Sequence, residues 1–238
     1  MPKPDVKRPN LDLRAYLITG PVDADEVGAF DAVVDTAATA AAGGAGVVQV
    51  RSKPIEARDL YLLAREVSRA VRATNPDTLV LIDDRVDVAL ALRAEGEHVH
   101  GVHLGQTDLP VRTTRALLGP DAVIGLTTGT AELVAAANEV ADVIDYVGCG
   151  PFRPTPTKNS GRPPIGLEGY PALVELSEVP LVAIGDVRPA DAPALAATGV
   201  AGLAIVRGFT DPTTTPDAVV RAILAAFDSH AGQQEVGR

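Results

Sequence analysis

Residues 79–104 read Leu79-Val-Leu-Ile-Asp-Asp-Arg-Val-Asp-Val-Ala-Leu-Ala-Leu-Arg-Ala-Glu-Gly-Glu-His-Val-His-Gly-Val-His-Leu104. Leu79-Val-Leu-Ile82 is a short, wholly apolar run, as expected of a strand covered on both faces. Val86 to Ala94 is a helical stretch, and Gly101-Val-His-Leu104 is again of strand type. Strand, crossover helix and strand make one parallel unit.

Moving outward, the pattern recurs. Strand-type runs stand at Ala15–Thr19, Val47–Val50, Ala122–Leu126, Ile144–Val147, Pro180–Ile184 and Gly202–Val206. Helical stretches fill the gaps: Val27–Ala42, closed by the stop signal Gly43-Gly44; Glu56–Ala73, with Leu60, Leu63, Ala64, Val67 and Val71 on one stripe; then Arg112–Leu118, Ala131–Val140, Leu167–Leu176, Ala190–Thr198 and Pro216–Phe227. Eight such units predict a single (β/α)8 TIM barrel over residues 14–228, with a flexible arm at 1–13 and a flexible tail at 229–238. An open dinucleotide-binding sheet is disfavoured, because no G-x-G-x-x-G follows the first strand.

Composition narrows the function. With 21 Lys+Arg against 31 Asp+Glu the net charge is −10, and no basic cluster invites nucleic acid. The single cysteine forms no internal disulfide. No apolar run reaches the ~18 residues of a membrane span. Aromatics are 3% of the chain and Trp is absent, a poor basis for stacking platforms. A soluble cytoplasmic protein is expected, with small phosphate-bearing molecules as partners, neither nucleic acid nor membrane, and homo-oligomerisation left open.

In a barrel of this kind the site lies where strands meet the following loops. Gln49, Arg51 and Lys53 alternate after the second strand and so aim one way, toward the lumen and its mouth. Buried cations there need an anion, from the protein or from a ligand. Asp83-Asp84 ends the third strand and Asp108 follows the fourth; such carboxylates suit Mg²⁺, or Asp83 or Asp84 serves as a helix cap. His103 reads as a packed lumen histidine. Thr127-Thr-Gly-Thr130 follows the fifth strand, as caps or phosphate ligands. The long loop after the sixth strand carries Thr155, Thr157 and Lys158 between prolines, a register of donors for phosphate oxygens. Cys149 reads as a small packed residue. Gly185, Asp186, Val206 and Arg207 fall in the last two loops, the usual phosphate cradle of barrels.

These segments together resemble the thiamine-phosphate synthase (thiamine-phosphate pyrophosphorylase) family. The resemblance rests on Val48–Lys53, Leu81–Ala91, Gly101-Val-His-Leu-Gly-Gln-Thr-Asp-Leu-Pro110, Ile124–Thr127, Asp145–Lys158 and Val182–Gly185, in order along nearly the whole barrel. It implies a (β/α)8 transferase of thiamine biosynthesis that joins hydroxymethylpyrimidine diphosphate to a thiazole phosphate and releases pyrophosphate. By resemblance Gln49 and Arg51 contact the pyrimidine diphosphate, Lys53 and Lys158 bind its pyrophosphate, and Asp84 and Asp108 hold Mg²⁺. Thr127 stands for a family Ser near the diphosphate, while Thr155 and Thr157 face the thiazole phosphate.

The chain departs from the family pattern at three places. Asp83 stands where the family has Asn, and Asn both donates and accepts whereas ionised Asp only accepts. Asp186 and Arg207 replace a Gly and a Ser of the thiazole-phosphate cradle. Residues 94–100 look like an insertion at the far end of the barrel, where His98 and His100 are expected to be solvated. Three rivals follow: a diverged member that binds a thiamine precursor or another phosphate ligand without turnover; a thiazole tautomerase type of barrel, whose loop histidine Thr127–Thr130 does not supply; and a phosphosugar isomerase, which needs an acid/base pair.

Overall fold

The computed structural model describes residues 10–23, 28–154, 161–209 and 213–236. Strands β1 (Ala15–Ile18), β2 (Val47–Val50), β3 (Leu79–Asp83), β4 (Gly101–Leu104), β5 (Val123–Thr128), β6 (Tyr146–Cys149), β7 (Leu181–Ala183) and β8 (Gly202–Ile205) pair in chain order. Every pairing is parallel, and β8 closes on β1. Helices α1 (Ala29–Ala42), α2 (Ala57–Thr74), α3 (Val86–Ala94), α4 (Val111–Leu118), α5 (Ala131–Asn138), α6 (Gly166–Leu176), α7 (Ala192–Ala196) and α8 (Pro216–Val236) each follow one strand. The predicted (β/α)8 barrel is the fold observed.

Period-two alternation divides each strand between two cores. In β2, Val48 and Val50 face the helices, joining Leu60, Leu63, Ala64, Val67 and Val71 of the predicted α2 stripe. Val47 faces the lumen with Tyr16, Ile18, Leu79, Leu81, Val123, Tyr146, Val182 and Ala204. The register Ile18↔Gln49 and Asp83↔His103 brings polar side chains to one level near the strand ends. Helix α1 ends as predicted, with Gly44 taking up a left-handed backbone at φ 93°.

Both predicted ends need correction where they are described. Residues 1–9 lie outside the described residues, but Leu13 is buried and Leu11 packs beside it under the lumen. The bottom of the barrel leaves apolar side chains to cover, so the chain closes it before β1 begins. At the other end α8 continues to Val236 through the expected tail; Ser229 Oγ bonds Ala225 O at 2.7 Å. No proline interrupts residues 217–236, and Gly232 alone costs only about 1 kcal/mol of helix propensity. No helix among the described residues is long and apolar enough to cross a membrane.

The 94–100 segment does lie at the far end, but its histidines are not solvated. His98 Nε2 bonds Thr78 O at 2.9 Å, and His100 Nδ1 accepts from Val80 N at 3.1 Å. Their rings meet edge to face, 4.4 Å between centroids.

Candidate active site

The lumen is polar at one level. Gln49 Nε2 donates to Tyr16 Oη at 2.6 Å, the Tyr16 and Tyr146 hydroxyls are 2.7 Å apart, Tyr146 Oη lies 2.9 Å from His103 Nδ1, and His103 Nε2 lies 3.0 Å from Thr127 Oγ1. Satisfying each buried hydroxyl runs the donors one way, from Gln49 to Thr127, with the His103 proton on Nε2. Burial pushes both tyrosine hydroxyls well above their ordinary range, so they stay protonated. Gly125 makes room for this chain: a Cβ there would stand 2.2 Å from Tyr146 Cζ and 2.5 Å from His103 Nδ1. Tyr16 and Tyr146 were not singled out in the sequence, although each holds an inward position of its strand.

Above this level a charged cluster crowns β2, β3 and β4. The Arg51 backbone is pinned by Thr19, whose hydroxyl bonds both Arg51 N and Arg51 O at 2.8 Å. Arg51 Nε and Lys53 Nζ lie 3.4 and 3.1 Å from Asp83 Oδ2. That oxygen is buried and accepts no well-directed hydrogen bond. Burial, then the charge of Asp84, raises the Asp83 carboxyl to about 6 against the pull of Lys53 and Arg51. Lys53 Nζ also donates to Asp84 Oδ2. Burial disfavours the Lys53 ammonium, but its two aspartate partners outweigh that and hold its pKa above the ordinary value.

Asp84 sits in the left-handed region at φ 58° and does not cap α3, whose N-cap Arg85 has no side-chain cap bond. Asp108 Oδ2 accepts from Gly105 N at 2.7 Å. Burial and the neighbouring Asp84 carboxylate raise the pKa of Asp108. Two oxygen-donor groups thus face each other at one rim, the hard, anionic pair that suits Mg²⁺. Among the described residues no larger group of His, Cys, Asp and Glu could hold a metal.

A cavity of about 630 Å³ opens beside the cluster. Gln49, Arg51, Asp83, Thr127, Gly185, Asp186, Val206 and Arg207 line it, whereas Lys53, Asp84 and Asp108 stand just outside its wall. Thr155, Thr157 and Lys158 lie outside the described residues. Thr127 belongs to β5 itself, reaching inward to His103, and Thr130 caps α5. Cys149 is buried, as expected. Sequence reading passed over Arg162, which lines the cavity and donates to Thr128 O at 2.6 Å; no local pattern marks a residue that a returning loop carries to its place.

A closed (β/α)8 barrel whose loop end sets Arg51 and Lys53 with Asp83, Asp84 and Asp108 beside a largely apolar cavity belongs to the class of barrel enzymes that handle anionic substrates. A family model described as Thiamine monophosphate synthase matches residues 15–209. The chain belongs to that family, whose members are transferases of thiamine biosynthesis. It is 64% identical to a thiamine-phosphate synthase of Corynebacterium jeikeium, over 92% of this chain and 96% of that protein. It is 61% identical to the Corynebacterium efficiens thiamine-phosphate synthase, over 92% and 97%. The solved structure of a thiamine phosphate pyrophosphorylase from Pyrococcus furiosus superposes with TM-score 0.73 at 28% identity, covering 92% of this chain and 98% of that one.

Proposed function

We propose that this enzyme condenses hydroxymethylpyrimidine diphosphate with a thiazole phosphate, releasing pyrophosphate, with Mg²⁺ held by Asp84 and Asp108. The observation that carries this reading is the convergence of Arg51 and Lys53 with Asp83, Asp84 and Asp108 on one edge of the cavity. The carbon–oxygen bond at the pyrimidine methylene breaks and its electron pair leaves with the pyrophosphate oxygen. The thiazole nitrogen then gives its lone pair to the methylene carbon. No proton needs to move.

The chain's own groups act on the departing charge. Arg51 and Lys53 stabilise negative charge as it grows on pyrophosphate, joined in this reading by Lys158. Bound Mg²⁺ would supply further charge neutralisation at the diphosphate. Gln49, Asp83 and Thr127 stand along the pyrimidine side, while Thr155, Thr157, Gly185, Asp186, Val206 and Arg207 belong to the thiazole-phosphate side. Ile18, Ile184, Ala204 and Val206 present apolar wall to the reacting carbon, which keeps water from capturing a methylene cation. The isomerase alternative would need a placed acid/base pair, and His103 is hydrogen-bonded to Tyr146 and Thr127.

The test is pyrophosphate release by purified protein with Mg²⁺ and both substrates, each then omitted. Release together with thiamine phosphate only when both are present supports the reading. Folded protein that releases none refutes it and leaves a ligand-binding member of the family.

A further inference from the structure

Gln49 and Thr127 line the cavity from opposite sides of the lumen, and the buried side chains of Tyr16, Tyr146 and His103 join them. The contacts run unbroken from Gln49 Nε2 through Tyr16 Oη, Tyr146 Oη and the two ring nitrogens of His103 to Thr127 Oγ1, at 2.6, 2.7, 2.9 and 3.0 Å. Among the described residues the side chains of Gln49 and Thr127 bond only into this line.

Each member takes its direction from its neighbour. A tyrosine hydroxyl has one proton to give, a neutral imidazole donates at one nitrogen and accepts at the other, and an amide offers either its N–H or its oxygen. A break in direction strands a buried donor or acceptor, which is costly. Two directions satisfy every member. With the Gln49 N–H toward Tyr16, as observed, His103 carries its proton on Nε2 and donates to Thr127. The Thr127 proton is then left for an acceptor in the cavity, and Gln49 Oε1 for a donor. With the Gln49 amide turned over, every bond reverses: Thr127 donates to His103, and Gln49 offers the cavity its N–H.

We propose that Tyr16, Tyr146 and His103 are positioning residues that couple the two ends of the bound pyrimidine diphosphate: a substrate N–H at Gln49 selects the direction in which Thr127 donates to the diphosphate. This rests on the reading of Gln49 and Thr127 as substrate contacts. The exocyclic amine of the pyrimidine is such a donor, and it holds Gln49 Oε1 toward itself. The amide N–H then stays on Tyr16, and at the far end the Thr127 hydroxyl is kept as donor to an anionic oxygen, a charge-assisted bond. By linkage, an anion at Thr127 favours the same direction and presents the Gln49 oxygen to the amine. Amine and diphosphate are thus read as a pair.

The first measurement needs no turnover. The His103 tautomer is read by NMR of the ring nitrogens, with Mg²⁺ and inorganic pyrophosphate as probe and His103→Asn to assign the signals. Wild type is expected to carry the proton on Nε2. In Gln49→Glu at alkaline pH the ionised carboxylate only accepts, so the proton is expected to appear on Nδ1, and adding Tyr146→Phe is expected to abolish that change. A proton on Nδ1 in wild type, no change in Gln49→Glu, or the same change without the Tyr146 hydroxyl overturns the proposal. The second measurement is kcat/KM. Thr127→Val is expected to cost about tenfold with the amine-bearing substrate, the loss of one hydrogen bond to a charged group. With an analogue carrying hydrogen in place of the amine, the cost is expected to shrink by about threefold or more, the coupling of groups in one network. Equal costs overturn the proposal. If wild type gives no product, the substrate reading has failed, and the tautomer measurement still decides whether the line transmits its direction.

Discussion

The hydroxyls of Tyr16 on β1 and Tyr146 on β6 meet at 2.7 Å across the barrel lumen, from strands that are not neighbours. The contact joins Gln49 on one side of the site to His103 and Thr127 on the other. Loss of the Tyr146 hydroxyl leaves His103 Nδ1 and Tyr16 without their shared partner in a buried place. Tyr146→Phe is therefore expected to cost about 1–3 kcal/mol. It should also lower kcat/KM for the pyrimidine diphosphate, because Gln49 and Thr127 lose a common anchor. Urea denaturation and steady-state kinetics check the two effects; a variant as stable as wild type would show the chain to be energetically idle.

Gly125→Ala probes the same network through volume. The new methyl would fall 2.2 Å from the Tyr146 ring, so the ring or strand must shift. Overpacking of this kind costs about 1–3 kcal/mol. The prediction is a lowered melting temperature together with lowered activity, read by thermal unfolding and pyrophosphate release.

Lys53→Ala separates chemistry from stability. The Lys53 side chain is 47% exposed, and pairs of that exposure contribute about 0–1 kcal/mol to stability. Removing a group that stabilises departing charge costs about 100-fold or more in kcat. Activity should collapse while the melting temperature barely moves; near wild-type turnover would remove Lys53 from the leaving-group role.

Mg²⁺ should stabilise the folded chain in the absence of substrate, since a ligand that binds only the native state raises the melting temperature. Asp108→Asn removes one of the facing carboxyl groups and should abolish that shift. A shift that persists in the variant would place the metal elsewhere.

The acid limb of stability should report His100. Burial, then the adjacent His98, lowers the His100 pKa to about 4, against an ordinary value near 6.5. Between these values the unfolded chain binds more protons than the folded one. Stability present above about pH 6.5 is therefore lost progressively as pH falls toward 4. His100→Asn should flatten this slope in denaturation curves at pH 4.5–7; an unchanged slope would assign it to other groups.

The sequence by itself determined the barrel. Eight apolar runs separated by amphipathic stretches allow little else once each strand must bury both faces and each connection must cross over. It also determined which rim residues carry charge, because period-two alternation alone sends Gln49 and Arg51 inward. Tertiary structure decided what depends on strands far apart in the chain. The Tyr16–Tyr146 contact spans 130 residues and exists only because the sheet closes. Asp186 and Arg207, which read separately as a misplaced carboxylate and a lost serine, become a pair at 2.6 Å once β7 and β8 lie side by side. His98 and His100 read as solvated and prove packed, since local polarity carries no record of the strand that comes to lie beneath them. The physical reason is common to all three: a residue's type and phase are local, but its partner is set by closure of the barrel.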